Sequence, residues 1–259
     1  MNDISIRGMQ RLSTAGGVEM PPMDLSKPLN EAEKKLVRDA FLEHHILVFR
    51  EQTLSKEEQA AFTKQFGELE SHVARRHDGT ETPIVHTVSN LDADGNPSYK
   101  PVTHGNYFWH TDKSYHALPS LATLLHAIEL PEKGGHTQFA NTYMAYEALP
   151  DDKKHEYADL KVVHSWEANR RNTGNRPATD EEKRDRPPVT HPLIRTHPET
   201  GRKVLYVGIH TSHIVDRPQE EGRKLLDELT TFAGQDDFVY THEWQPGDLV
   251  MWDNRCLLH

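Results

Sequence analysis

Trp109-His110-Thr111-Asp112 contains an H-x-D pair, and a third histidine, His259, ends the strand-like run that begins at Asp248 and continues through Asp253-Asn254-Arg255. In an extended chain, residues two apart point to one face, so His110 and Asp112 can reach a single ion. The pair alone carries little weight, because a chain of 259 residues with 18 histidines supplies about one such pair by chance. His259 changes the chemistry on offer. Two neutral imidazoles and one carboxylate on one face of an ion leave three positions free, the arrangement in which non-haem Fe(II) takes a co-substrate and dioxygen. The same three ligands with a polarised water would suit a zinc hydrolase, and the plainest alternative is a surface His beside a surface Asp.

Composition narrows the choice of metal site. The one cysteine, Cys256, cannot close an intrachain disulfide or build a thiolate-rich zinc or iron–sulfur site, and it reads as a buried, inert thiol. Any metal must therefore be held by nitrogen and oxygen. Acidic residues outnumber basic ones, 40 to 30, and the net charge of −10 disfavours a nucleic-acid partner. The longest aliphatic or aromatic run, Ile46 to Phe49, is far too short to span a membrane. The first twenty residues hold Asp3, Arg7 and Arg11 and no apolar core of a signal peptide, so a cytoplasmic protein is expected.

Asn30 with Glu33 forms a capping box ahead of Leu36, Val37, Ala40 and Phe41, which predicts a helix from about Asn30 to His44. Ile46 to Phe49 follows as a buried strand. Ser55 with Glu58 opens a second helix through Phe62 and Phe66 that ends at Gly67, and a strand is expected near Ile84 to Val88. Short runs rich in Val, Ile and Tyr then read as strands: Leu121–Leu130, Leu160–His164, Val189–Arg195, Val204–Ile209, Phe238–His242 and Leu249–Trp252. Helices at Tyr143–Leu149 and Gln219–Phe232 interrupt them. Many short strands without βα alternation favour a sandwich, barrel or jelly roll. Glu167 to Pro188 has no apolar periodicity and reads as disorder or a substrate lid.

Ordered blocks along the chain resemble the taurine dioxygenase and 2,4-dichlorophenoxyacetate dioxygenase family of Fe(II)/2-oxoglutarate-dependent enzymes. They are Asp24-Leu25-Ser26-Lys27-Pro28-Leu29, Phe66-Gly67-Glu68-Leu69, Trp109-His110-Thr111-Asp112, Gly134-Gly135-His136-Thr137, Arg195-Thr196-His197-Pro198, and Trp252 through His259. Gly201-Arg202-Lys203, Gly208-Ile209-His210-Thr211-Ser212-His213, Phe238-Val239-Tyr240 and Gly247 to Trp252 look more like the phenoxyacetate branch.

The resemblance implies one dioxygenase domain over residues 1–259, mainly β with flanking helices around a double-stranded β-helix (jelly-roll) core. It implies His110, Asp112 and His259 as Fe(II) ligands and Thr137 as the hydroxyl that meets a 2-oxoglutarate carboxylate. His136 replaces the family's usual Asp. His72 and Asn106 match substrate-contacting positions, and His210 and His213 could hold a substrate carboxylate; Arg75, Arg76, Arg170 and Arg171 read as surface charge and Trp109 as a core aromatic. The family's carboxylate-binding arginine lies about a dozen residues beyond the third ligand, so a C-terminal tail is expected in addition to the residues given. The implied partners are dioxygen and a small anionic substrate, an aryloxyalkanoate cleaved to a phenol, with a taurine-like sulfonate as the alternative. A homo-oligomer, and a silent jelly-roll binding module, stay open.

Overall fold

The computed structural model describes residues 8–70, 85–91, 94–96 and 107–259, so the expectations for His72, Arg75, Arg76 and Asn106 lie outside the described residues. Strands β1 (Gln10–Arg11) and β2 (Val18–Glu19) precede helix α1 (Glu31–His44), strand β3 (Ile46–Phe49) and helix α2 (Lys56–Lys64). Asn30 caps α1 by accepting from the backbone of Ala32 and Glu33, while Glu33 returns a bond to the Asn30 N–H; such a cap contributes about 1 kcal/mol. Ser55 and Glu58 repeat the device on α2, which stops at Lys64, short of the expected Gly67.

The remaining strands are β4 (Ala122–His126), β5 (Thr137–Asn141), β6 (Lys161–His164), β7 (Val189–Pro192), β8 (Ile194–Thr196), β9 (Lys203–Leu205), β10 (Thr211–Ile214), β11 (Val239–His242), β12 (Leu249–Asp253) and β13 (Leu257–Leu258). Between them lie α3 (Thr142–Glu147), α4 (Asp151–Tyr157), α5 (Trp166–Asn172), α6 (Asp180–Asp185) and α7 (Gln219–Ala233). The chain is thus mainly β with helices around it. Among the described residues, no helix is long and apolar enough to cross a membrane.

The largest sheet runs β1-β2-β3-β12-β4, with β12 antiparallel to both neighbours. Every residue of β12 is buried, as a strand covered on both faces requires. Alternation divides its burden. Leu47, Phe49, Leu249 and Met251 pack beneath α1 and α2, whereas Ile46, Val48, Val250 and Trp252 point the other way, into a cluster with Phe139 and Leu257. That second face looks toward the three-stranded sheet β11-β5-β13, which brings the end of the chain under the centre of the large sheet. A third cluster joins Val162 and Ile214, from the sheet β10-β6-β7, to Leu226, Leu229 and Ala233 of α7.

Three expectations need correction. Of the strand expected at Ile84 to Val88, Ile84 lies outside the described residues and Val85 to Val88 form no strand; Val88 is 57% exposed. Val189–Arg195 is two strands, β7 and β8, broken at Leu193, whose N–H reaches back to Leu160. Glu167–Pro188 is ordered as α5 and α6. Its scaffold is polar: Thr179 and Glu182 form a capping box, Glu182 also holds Arg170 and Arg176, and Arg170 and Arg186 lie over the Trp166 ring. Apolar periodicity could not reveal a segment held by caps, ion pairs and cation–π contacts.

Candidate metal centre

Two glycines seat the segment that carries His110. Gly208 has φ +122°, and a Cβ there would stand 2.9 Å from the Trp109 carbonyl oxygen; a Cβ on Gly234 would lie 2.2 Å from the Trp109 indole nitrogen. Trp109 therefore lies on the C-terminus of α7, partly buried and packed against the core cluster there. Its carbonyl accepts from Ile209 at 2.9 Å. On the other side, His110 and His259 exchange backbone hydrogen bonds of 3.1 and 2.8 Å, so the H-x-D segment is joined directly to the residue after β13.

Side chains then converge. One donor atom from each of His110, Asp112 and His259 lies within 4.8 Å of the others. Asp112 Oδ1 stands 3.9 Å from His110 Nε2 and 3.8 Å from His259 Nε2. These separations are too long for direct hydrogen bonds and are those of ligands grouped about a common point. His110 Nδ1 is 2.9 Å from the Phe108 carbonyl, which can only accept, so Nδ1 carries the hydrogen and Nε2 presents its lone pair to the cluster. Burial, reinforced by His110, lowers His259 to about 3 and keeps it neutral, and its buried Nδ1 has no hydrogen-bond partner among the described residues. Burial pushes the Asp112 carboxyl up, but His259, His110 and the Thr123 hydroxyl outweigh it and hold it below its ordinary value. Two neutral imidazoles and one carboxylate are the protonation states a divalent cation needs.

Asp112 is aimed by residues the sequence reading did not single out. Its Oδ2 accepts from Thr123 Oγ1 at 2.5 Å, and Thr123 Oγ1 in turn accepts from Asn254 Nδ2 at 2.9 Å. Asn254 Oδ1 accepts from Trp252 Nε1 at 3.2 Å, so the hydrogen bonds run in one direction, from the buried indole to the carboxylate. Oδ1 of Asp112 is left for an ion. Only the pairing of β4 with β12 brings Thr123 beside Trp252, and no local sequence signal announces it.

Thr137 opens β5, after Gly134 and Gly135, both at positive φ. Its hydroxyl accepts from Trp244 Nε1 at 3.0 Å, which leaves the O–H free to donate. The β5–β13 register pairs Ala140 with Leu258. One step further puts Phe139 opposite His259, with ring centroids 6.3 Å apart, and Thr137 two residues along on that face.

His210 is brought to the cluster, its ring edge-on to His110 at 6.1 Å and its Nδ1 3.0 Å from Ser114 Oγ; burial, then His110, lowers it to about 3. His213, on β10, makes its hydrogen bond with Ser212 instead. His191, which the sequence reading passed over, lies 3.0 and 3.1 Å from the carbonyls of Ser114 and His116 and so ties β7 to the loop after Asp112. Arg255 is not free to bind a co-substrate, because it grips Asp253 through Nε and Nη2 and Glu199 through Nη1. Cys256 is buried and unpaired, and burial raises its thiol far above the ordinary value.

A two-histidine, one-carboxylate cluster inside a mainly β fold defines a class of candidate metal enzyme. The family described as "Taurine catabolism dioxygenase TauD, TfdA family" matches residues 10–259, and the chain belongs to it, among the Fe(II)- and 2-oxoglutarate-dependent dioxygenases. The chain is 38% identical over 253 residues, 95% of its length and 88% of the relative's, to an alpha-ketoglutarate-dependent 2,4-dichlorophenoxyacetate dioxygenase of Cupriavidus pinatubonensis. A dioxygenase of the same name from Burkholderia sp. strain RASC is 39% identical over 243 residues, 91% of this chain and 82% of that one. The crystal structure of AAD-2 in complex with Mn(II) and N-oxalylglycine superposes with a TM-score of 0.85 at 38% identity, covering 96% of this chain and 90% of that one.

Proposed function

We propose that this dioxygenase acts on a small aryloxyalkanoate resembling 2,4-dichlorophenoxyacetate. The observation that carries the substrate class is the 38% identity to a 2,4-dichlorophenoxyacetate dioxygenase along 95% of the chain. His110, Asp112 and His259 hold Fe(II), and Thr137 donates its O–H to a carboxylate of 2-oxoglutarate. Bound there, the iron supplies oxygen activation driven by decarboxylation of 2-oxoglutarate to succinate.

The chain's own residues hold and orient. Trp252, Asn254 and Thr123 fix the Asp112 carboxylate, and Phe108 sets the tautomer of His110. His72 and Asn106 are candidates for contacting the substrate and His210 and His213 for holding its carboxylate, and the place of His210 beside His110 supports it above His213. The α5–α6 segment serves as a lid: Trp166 lies 5.2 Å from Tyr115, which lies 4.9 Å from His210. The alternation of β12 between two apolar clusters supports a jelly-roll core. Hydroxylation of the carbon next to the ether oxygen yields a hemiacetal that collapses to a phenol and an oxo-acid.

A panel of phenoxyacetates, phenoxypropionates and taurine, scored by succinate and phenol release with Fe(II) and 2-oxoglutarate, tests this. Phenol release with little turnover of taurine is expected. Preference for taurine would overturn the substrate class, and no dependence on 2-oxoglutarate would overturn the reaction.

A further inference from the structure

Behind Phe139 lies a second set of buried polar groups that iron binding leaves unused. Tyr240 on β11 pairs with Phe139 on β5, and their rings lie nearly parallel, 15° apart with centroids at 6.3 Å. Phe139 is in turn 6.3 Å from His259 and 5.4 Å from Trp252, and Trp252 is 4.9 Å from His259. A continuous run of aromatic rings thus connects Tyr240 to a residue of the metal centre.

The tyrosine hydroxyl is engaged as well. Tyr240 Oη lies 2.9 Å from His242 Nδ1, and His242 Nε2 lies 3.0 Å from Asp248 Oδ2. Asp248 also accepts from the Gln245 N–H at 2.9 Å and from Arg50 Nη1 at 2.7 Å. Burial raises the Asp248 carboxyl, but His242, the Gln245 N–H and Arg50 outweigh it and hold it below its ordinary value, as a carboxylate. His242 therefore donates from Nε2, and Nδ1 is left to accept the phenol hydrogen. Burial pushes Tyr240 up to about 12, so it carries that hydrogen at neutral pH. Among the described tyrosines, Tyr240 is the one with an imidazole on its hydroxyl.

We propose that Tyr240 is a redox-active residue that gives one electron, through Phe139 and Trp252, to a one-electron oxidant arising at the His110–Asp112–His259 centre, while its proton passes to His242. A phenol becomes a strong acid on losing an electron, so a base already hydrogen-bonded to it lets proton and electron leave together. The O–H bond of Tyr240 breaks, an N–H bond forms at Nδ1 of His242, and the products are a neutral phenoxyl radical and an imidazolium facing the Asp248 carboxylate. The oxidant is reduced by one electron. Tyr240 is only partly buried, so a small reductant such as ascorbate can return the electron, and His242 returns the proton. The device drains oxidising equivalents from a centre that has reduced dioxygen with no substrate to hydroxylate, before they damage Trp252 or His259 irreversibly.

Flash photo-oxidation of the metal-free protein with a ruthenium tris-bipyridine sensitiser and a sacrificial acceptor tests this without iron, so the result is independent of the proposed substrate. The wild type should give a tyrosyl radical, seen by transient absorption and EPR, that forms more slowly in heavy water. Y240F should lose most of that signal, and H242Q should slow its formation by about 10²-fold, a usual contribution of a positioned proton acceptor. Circular dichroism reports whether each variant folds; should H242Q not fold, the solvent isotope effect on the wild type decides. A wild-type radical yield in folded Y240F, or no isotope effect in the wild type, would overturn the proposal.

Discussion

His110 and His259 are joined through their backbones, the N–H of each donating to the carbonyl of the other at 3.1 and 2.8 Å. Two candidate ligands from distant parts of the chain are thereby held as neighbouring residues of one ladder, and Asp112 needs only to turn to the same side. The donor atoms are positioned by main-chain geometry before any ion arrives. Such preorganisation suits a site that must keep coordination positions open.

Replacing either end of that arrangement separates chemistry from folding. H110A and D112A should abolish 2-oxoglutarate-dependent oxygen uptake and leave the far-ultraviolet circular dichroism unchanged, since an open catalytic metal site is not the main source of stability. Loss of both signals would mark a structural metal.

The residues that aim Asp112 should matter nearly as much as the ligand. T123V removes the hydroxyl that donates to Asp112 Oδ2 at 2.5 Å and is expected to weaken Fe(II) or Mn(II) binding by about 10- to 100-fold. Metal titration beside thermal melts reads this. Unchanged affinity would mean that Thr123 only fills space.

His164 makes stability depend on pH in a definite direction. Both of its ring nitrogens are buried without a hydrogen-bond partner among the described residues, and burial, helped by His191, keeps it well below its ordinary value. The unfolded chain therefore binds a proton that the folded one refuses, and stability falls as pH drops below about 6.5, by roughly 1.4 kcal/mol per pH unit for each such histidine. Urea midpoints of H164F should match or exceed the wild type at pH 8 and exceed it clearly at pH 5.5. Equal pH slopes for the two proteins would contradict this account.

Asp253 is wholly buried and receives two guanidinium bonds from Arg255, at 2.8 and 2.7 Å. R255M leaves that carboxylate with His197 as its remaining side-chain hydrogen-bond partner and should cost about 3–5 kcal/mol, as removing one member of a buried pair does. A fall in denaturation midpoint, with metal affinity retained in the folded fraction, is the expected result. A change below about 1 kcal/mol would show the pair to be solvated.

Short-range signals were legible where neighbours in the chain carry the physics. Asn30 with Glu33 and Ser55 with Glu58 cap their helices because a capping box closes within four residues. Ile46–Phe49 and Leu249–Trp252 read as strands because both faces are covered, which makes every position apolar. Helix α4 was missed because its signal, Pro150 followed by Asp151 and Asp152, is charge at a helix start without an apolar stripe. Residue types also limited the metal chemistry, since one thiol and many imidazoles leave only nitrogen and oxygen ligands.

The support of Asp112 and the stacking of Tyr240 on Phe139 follow from sheet pairing. Thr123 meets Asn254 only because β4 lies against β12, and Tyr240 stacks on Phe139 only because β11 pairs with β5 in one register. A slip of one residue would turn each of these side chains to the opposite face. That register is set by the packing of whole apolar faces, to which residues far apart in the chain contribute together, so no local window of residues contains it.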